Sequence, residues 1–184
     1  MAYLSYTDGF RGVADVFLRD PDLYLPLLQF IDGVMTRRSE LTPAEREMIA
    51  AHVSKQNGCG FCLRAHRWTL SAMEIGWSTI EALDDGPDGE GLDDRLRAML
   101  RFADKLTETP GRMSQADVDA LVAAGWSEQA VEDAINVIAL FNYVNRLVDA
   151  VGIESDEDYF RQIGKALAAQ GYLPLIQAAR KRAS

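Results

Sequence analysis

Both cysteines of this 184-residue chain and one of its two histidines fall in the ten-residue stretch NGCGFCLRAH, and the other histidine, His52, lies seven residues before Cys59. On a helix, the spacing Cys59, Cys62, His66 gathers the three side chains on one face, because residues three and four apart are neighbours with Cβ atoms about 5–6 Å apart. The two sulfurs then stand within, or a small relaxation from, disulfide reach. His66, four residues beyond Cys62, can bring its imidazole to the Cys62 sulfur. A helix N-terminus near Cys59 adds partial positive charge, and cationic or dipolar neighbours favour the thiolate form of a cysteine. An adjacent base matters because an unassisted thiol is mostly protonated near neutrality. The set suits a reversible dithiol/disulfide centre, in which peroxide oxidises one thiolate to a sulfenic acid and the second cysteine condenses with it. Two other readings use the same residues. His52, Cys59, Cys62 and His66 are a donor set fit for tetrahedral zinc, although His52 would have to fold back across the Asn57-Gly58 turn. Alternatively, the thiols are buried and inert in a helical scaffold. Haem attachment through Cys-x-x-Cys-His is excluded, since Leu63 follows Cys62.

The elements that must position these residues read as helices. LTPAEREMIAAHVSKQNG opens with Thr42 as N-cap, Pro43 at the first helical position and Glu45 closing a capping box, and Asn57-Gly58 is its stop signal. A second helix is expected from Gly58 or Cys59 to about Ile75, and a short one capped by Ser78 with Glu81 should end in a loop at residues 84–91. Leu96, Met99, Leu100, Ala103 and Leu106 form an apolar stripe at helical period. Ser114 with Asp117 starts a further helix closed by Gly125. The longest runs from Ser127 to Gly152, where Val131, Ile135, Ile138, Phe141, Leu147 and Val148 are spread too widely for a one-sided surface helix and predict a buried central one. Ser155 with Asp158 caps a helix bearing Phe160, Ile163 and Leu167. Upstream, Leu27, Leu28, Ile31, Val34 and Met35 mark another. The fold class is all-α, with eight or more helices. The tripeptide GWS occurs at 76–78 and 125–127, each time between two predicted helices. An internal duplication would explain it, with Asn142 and Asn145 in the second copy repeating the spacing of Cys59 and Cys62.

Composition bounds the function classes. Hydrophobic residues make up 48% and charged residues 26%, as in ordinary globular proteins, and the formal net charge is −9. Such an acidic chain repels phosphate backbones, so no nucleic-acid partner is expected. No apolar run of about 18 residues predicts a membrane span, and the beginning of the chain lacks the pattern of a secretion signal. The expected location is intracellular and cytoplasmic, where a close cysteine pair is catalytic or metal-binding rather than a structural crosslink.

The stretch EREMIAAHVSKQNGCGFCLRAH resembles the alkylhydroperoxidase D / carboxymuconolactone decarboxylase-like superfamily, in particular its peroxidase-related branch. That family's pattern is a glutamate, eleven residues, then Cys-x-x-Cys-x-x-x-His, and Glu47, Cys59, Cys62 and His66 match it position for position. The segment GWSEQAVEDAINVIALFNYVNRLVDAVGI also looks like the branch's second half, so the resemblance spans residues 40–153. It implies a multi-helix bundle assembled as homotrimers or hexamers, and a thiol-dependent peroxidase acting on hydrogen peroxide or organic hydroperoxides. It further implies that Glu47 works with His66, through a water, to activate Cys62. Cys62 attacks the peroxide, Cys59 resolves the sulfenic acid, and an external dithiol of the lipoyl type reduces the disulfide. No resident cofactor or metal is implied. In the alkylhydroperoxidase D branch a further histidine often lies between the cysteines; here Gly60-Phe61 takes its place. Branch members that decarboxylate lactones lack the cysteine pair, so its presence argues against that activity. The expected organisation is one domain over residues 1–184, with an N-terminal helical extension (1–40), a motif-bearing core (41–153) and C-terminal helices (154–184).

Other residues carry weaker signals. His52, set among alanines, is expected to be a packed or hydrogen-bonded core residue. Asn142, Asn145 and Arg146, polar groups within an apolar helix, need partners at neighbouring helix ends or a subunit interface, or else they wall the site. Phe61 and Trp68 are candidates to line an apolar pocket or simply the core. The tail RKRAS reads as a solvated helix end.

Overall fold

A computed structural model describes residues 3–183 and contains ten α-helices and no strand among them. In chain order these are α1 (Val13–Arg19), α2 (Pro21–Thr36), α3 (Pro43–Gln56), α4 (Gly60–Ala72), α5 (Trp77–Ala82), α6 (Asp94–Glu108), α7 (Gln115–Ala123), α8 (Glu128–Val151), α9 (Glu157–Gln170) and α10 (Leu173–Ala183). Local chemistry sets most of the boundaries. Thr42 Oγ1 accepts from the Glu45 N–H at 3.2 Å while the Glu45 carboxylate accepts from the Thr42 N–H at 2.7 Å, a complete capping box for α3. Ser127 caps α8, and Gly152 ends it in the left-handed conformation at φ 73° that a side chain disfavours.

Several boundaries differ from the sequence expectation. Asp156, not Ser155, caps α9: its carboxylate accepts from the Tyr159 N–H at 2.8 Å, and a charged acceptor facing the helix dipole outcompetes a hydroxyl. Helix α5 starts directly after Gly76 with no side-chain cap, so Ser78 lies inside it. Helix α4 ends at Ala72, because the chain turns at Glu74 with φ 65°. The expected loop at 84–91 is mostly a 3₁₀ turn, Leu83–Asp88, with Leu83 and Gly86 buried. The two GWS copies also fold differently: Gly76 is extended at φ −63° and Trp77 is exposed, whereas Gly125 is left-handed at φ 94° and Trp126 is buried. That tripeptide therefore gives no support to a duplication.

The core is organised on α8 and α3. Helix α8 buries Val131, Ile138, Phe141 and Val148 against α2, α3, α6 and α7 but leaves Ile135 and Tyr143 on an outward strip, so it is central without being enclosed on every side. By length and mean hydropathy of 1.2 it meets the criterion for a membrane-crossing helix, a property that core helices of bundles share, and half of that apolar window is packed inside. Helix α3 is enclosed more fully: every residue from 46 to 54 is buried. A helix buried all round must satisfy its polar side chains internally. Arg46 does so through the carbonyls of Val34 and Leu41, the Ser39 hydroxyl and the carboxylate of Asp133, which Arg37 also approaches at 3.2 Å. One apolar cluster runs from Val16 on α1 to Ala179 on α10, so both chain ends pack onto the centre. The exposed Arg180, Lys181 and Arg182 end α10 as expected; Ser184 lies outside the described residues.

Removing one partner of a buried ion pair leaves the other uncompensated. Arg46→Ala is expected to lower folding stability by about 3–5 kcal/mol, read as a lower urea midpoint at unchanged m-value.

Candidate functional site

The short turn between α3 and α4 carries the first cysteine. Gly58 is left-handed at φ 73°, and Cys59 then caps α4, its own N–H bonded to the Ser54 carbonyl at 2.9 Å. The polar residues of α8 fasten this corner. Asn57 donates to the side-chain oxygens of Asn145 at 2.9 Å and Asn142 at 3.2 Å, and Asn145 donates to Ser54 Oγ at 3.0 Å. Arg146 braces Asn142 through its carbonyl and side-chain oxygens. Asn142 and the buried Asn145 thus tie α8 to the helix end before Cys59, while the exposed Arg146 stays within α8.

Cys62 and His66 follow on successive turns of α4, and both are buried. His66 Nδ1 lies 2.6 Å from Glu47 Oε2, with both side chains 5% exposed. The contact is direct, which corrects the expectation of a bridging water: α3 and α4 pack closely enough for the two side chains to meet. With Glu47 ionised, the Nδ1–H donates to it, and Nε2 is left as the basic nitrogen. Phe141 packs edge-on against the imidazole at a centroid distance of 4.4 Å and fixes its plane.

The two thiols, both reduced, differ in surroundings. Cys59 has no exposed surface. A hydrogen bond to Cys62, then burial, then the charge on Cys62, push the Cys59 thiol far above the ordinary range. Cys62 instead opens onto a cavity of about 340 Å³ that His66 also lines. The other walls are apolar: Phe61 from α4, Phe141 and Val144 from α8, Val13 and Phe17 from α1, Tyr159, Ile163 and Leu167 from α9, and Tyr172, Pro174 and Leu175 at the start of α10. No lysine or arginine is among the lining residues. Burial holds the Tyr159 phenol up at about 12. The Tyr172 phenol is also raised well above its ordinary value, by burial first and then by the charges of Glu47, Cys62 and Asp32.

The structure thus brings Glu47, Cys59, Cys62 and His66 together, and Phe61 joins them as a wall. Trp68 does not line the cavity; it packs edge-on against Trp77 and donates from Nε1 to Glu157 at 2.6 Å. His52 is a buried, hydrogen-bonded core residue whose Nε2 pairs with Asp104. The four-donor zinc set therefore does not converge, and no group of three or more metal-binding side chains is assembled among the described residues. Tyr159 and Tyr172 escaped the sequence reading, because both lie outside the motif-bearing segment and no spacing links them to Cys62.

A family model for the carboxymuconolactone decarboxylase family matches residues 21–76, a span that includes all four motif residues. The chain is similar to the protein YdfG of Bacillus subtilis, at 25% identity over 117 residues, covering 64% of this chain and 80% of YdfG. Among solved structures, it resembles a peroxidase-related protein with an alkylhydroperoxidase AhpD core from Ralstonia eutropha JMP134, with TM-score 0.74, 27% identity, and coverage of 82% of this chain and 78% of that one. A peroxidase-related protein from Silicibacter sp. TM1040 gives TM-score 0.76 and 29% identity, with coverage of 82% and 79%.

The inequality of the two thiols is measurable. Brief treatment of the reduced protein with iodoacetamide at neutral pH should alkylate Cys62 ahead of Cys59, because only Cys62 faces the cavity and Cys59 holds its proton. Peptide mass mapping at partial modification reads the order.

Proposed function

We propose that this chain, a member of the alkylhydroperoxidase D-like / carboxymuconolactone decarboxylase superfamily in its peroxidase-related branch, is a thiol-dependent peroxidase acting on organic hydroperoxides. One observation carries the reading: the cavity-facing thiol of Cys62 shares its wall with His66, whose far nitrogen is held by a buried carboxylate, while a second thiol sits sealed behind it. The cavity supports organic hydroperoxides over hydrogen peroxide, because apolar walls favour an alkyl or aryl group by removing its surface from water. The absence of cationic lining residues speaks against substrates bound through a carboxylate.

The proposed cycle balances as follows. His66 Nε2 accepts the Cys62 proton, and Glu47 stabilises the imidazolium that results. The Cys62 thiolate attacks the terminal oxygen of R–O–O–H. An S–O bond forms, the O–O bond breaks, and the departing alkoxide is protonated from His66, giving the alcohol and a Cys62 sulfenic acid. The Cys59 sulfur then displaces water from that sulfur to form the disulfide. An external dithiol, proposed to be of the lipoyl type, restores both thiols and is oxidised in turn. We further propose assembly into homo-oligomers, for which the exposed Phe30, Ile135 and Tyr143 offer apolar surface.

Stopped-flow mixing of reduced protein with one equivalent of cumene hydroperoxide tests the reaction. Both thiols should disappear, a dithiol should restore them, and a chelator should make no difference; a Cys62→Ser variant that still consumed hydroperoxide would refute the assignment. A positioned general base contributes about 10²–10⁴-fold, so Glu47→Gln should slow oxidation by at least about 10²-fold while far-UV circular dichroism stays unchanged. An unaltered rate would remove Glu47 from the mechanism.

A further inference from the structure

Two tyrosines line the cavity, and their hydroxyls are placed differently. The Tyr159 hydroxyl is packed on the backbone of Gly12, so closely that a Cβ there would overlap it at 1.8 Å. Tyr172 stands on the turn between α9 and α10, where Gly171 takes φ 57° and the Tyr172 N–H is pinned to Asp32 Oδ1 at 3.1 Å. That anchoring fixes the residue at a junction: it borders the cavity shared by Cys62 and His66, and also the neighbouring cleft bordered by Glu47. The phenol feels the charges of Glu47 and Cys62 and is held in its protonated form. An O–H donor on the wall of the cavity onto which the reacting sulfur opens, anchored through its backbone, is what an oxygen acquiring negative charge requires.

We propose that Tyr172 is a further catalytic residue, whose hydroxyl donates a hydrogen bond to the hydroperoxide oxygen that leaves as alkoxide when the Cys62 S–O bond forms. The role rests on the peroxidase reading and deepens it. His66 returns the proton it took from Cys62; Tyr172 supplies no proton, only a fixed donor that strengthens as charge builds on the leaving oxygen. It also takes a place at the site where the Cys-x-x-Cys segment itself, with Gly60-Phe61 between the cysteines, offers no polar side chain.

The test uses two oxidants that differ in leaving group. Cumene hydroperoxide expels a strongly basic alkoxide, whereas peracetic acid expels acetate, which needs little stabilisation. Reduced wild-type protein and Tyr172→Phe are mixed with each, and loss of Cys62 thiol is followed by stopped flow. Removing one such donor typically costs about 10²–10³-fold, so the variant should lose about 10²-fold with cumene hydroperoxide and change little with peracetic acid. The pH profile of Cys62 alkylation by iodoacetamide should be unaltered, which separates a donor role from a disturbed thiol or a damaged fold. Equal losses with both oxidants, or no loss with either, would overturn the role of Tyr172 and leave the peroxidase standing. Wild-type Cys62 inert to both oxidants would bring down the peroxidase and this proposal together.

Discussion

The hydrogen bond between Glu47 and His66 is the constraint around which the bundle is set. Each group, buried alone, would cost several kcal/mol of lost hydration; facing each other at 2.6 Å, each offsets the other's burial. Because α3 is enclosed along residues 46–54, its rotation cannot drift without exposing or orphaning a polar group. Arg46 reaches α2 and α8, Glu47 reaches α4, His52 reaches α6, and Ser54 meets Asn145 of α8. Four buried polar residues pointing to different neighbours fix the helix about its own axis. A slip of α4 by one residue would carry His66 about 100° around its helix and break the contact. The chemistry thus inherits its geometry from the packing.

What gives this pair of helices a cavity is the packing of the flanking helices over it. Helix α9 lies directly against α4, and Gly164 is the reason it can: a Cβ there would come within 2.5 Å of the Trp68 backbone. The intimate approach brings Tyr159, Ile163 and Leu167 over Cys62, and α10 folds back with Tyr172 to complete the wall while α1 closes the remaining side. Without these flanking helices, the dithiol would open onto solvent. The N-terminal and C-terminal segments therefore shape the cavity onto which Cys62 opens, and the central segment supplies the thiols, His66 and Glu47.

The division explains what was legible in the sequence. The motif residues could be read because their spacing alone places them on one helical face, and most caps could be read because Thr42-Glu45 and Ser114-Asp117 are local reciprocal pairs. The direct Glu47–His66 contact was not legible: separation along the chain gives adjacency of two helices, not the distance between them. Nor were the cavity walls, since Ile163 or Leu167 carries the same apolar signal whether it fills a core or borders a void. Trp68 shows the converse, an aromatic on the motif helix that turns outward to Glu157. Tyr172 lies 110 positions beyond Cys62 and arrives there only through the α9–α10 turn.

The contrast between the cysteines gives the proposed cycle an order. The neighbouring Cys62 and its own burial keep the proton on Cys59, and Asp149 adds to them. In the proposed cycle, conversion of Cys62 to a sulfenic acid replaces the group that Cys59 faces, so the influence of Cys62 on the Cys59 proton changes at the step where the resolving thiol is needed. Before that step, complete burial withholds Cys59 from an oxidant in the cavity, which Cys62 alone of the two borders. In the proposed cycle the two sulfurs thus take different roles, Cys62 as the nucleophile facing the cavity and Cys59 in reserve behind it.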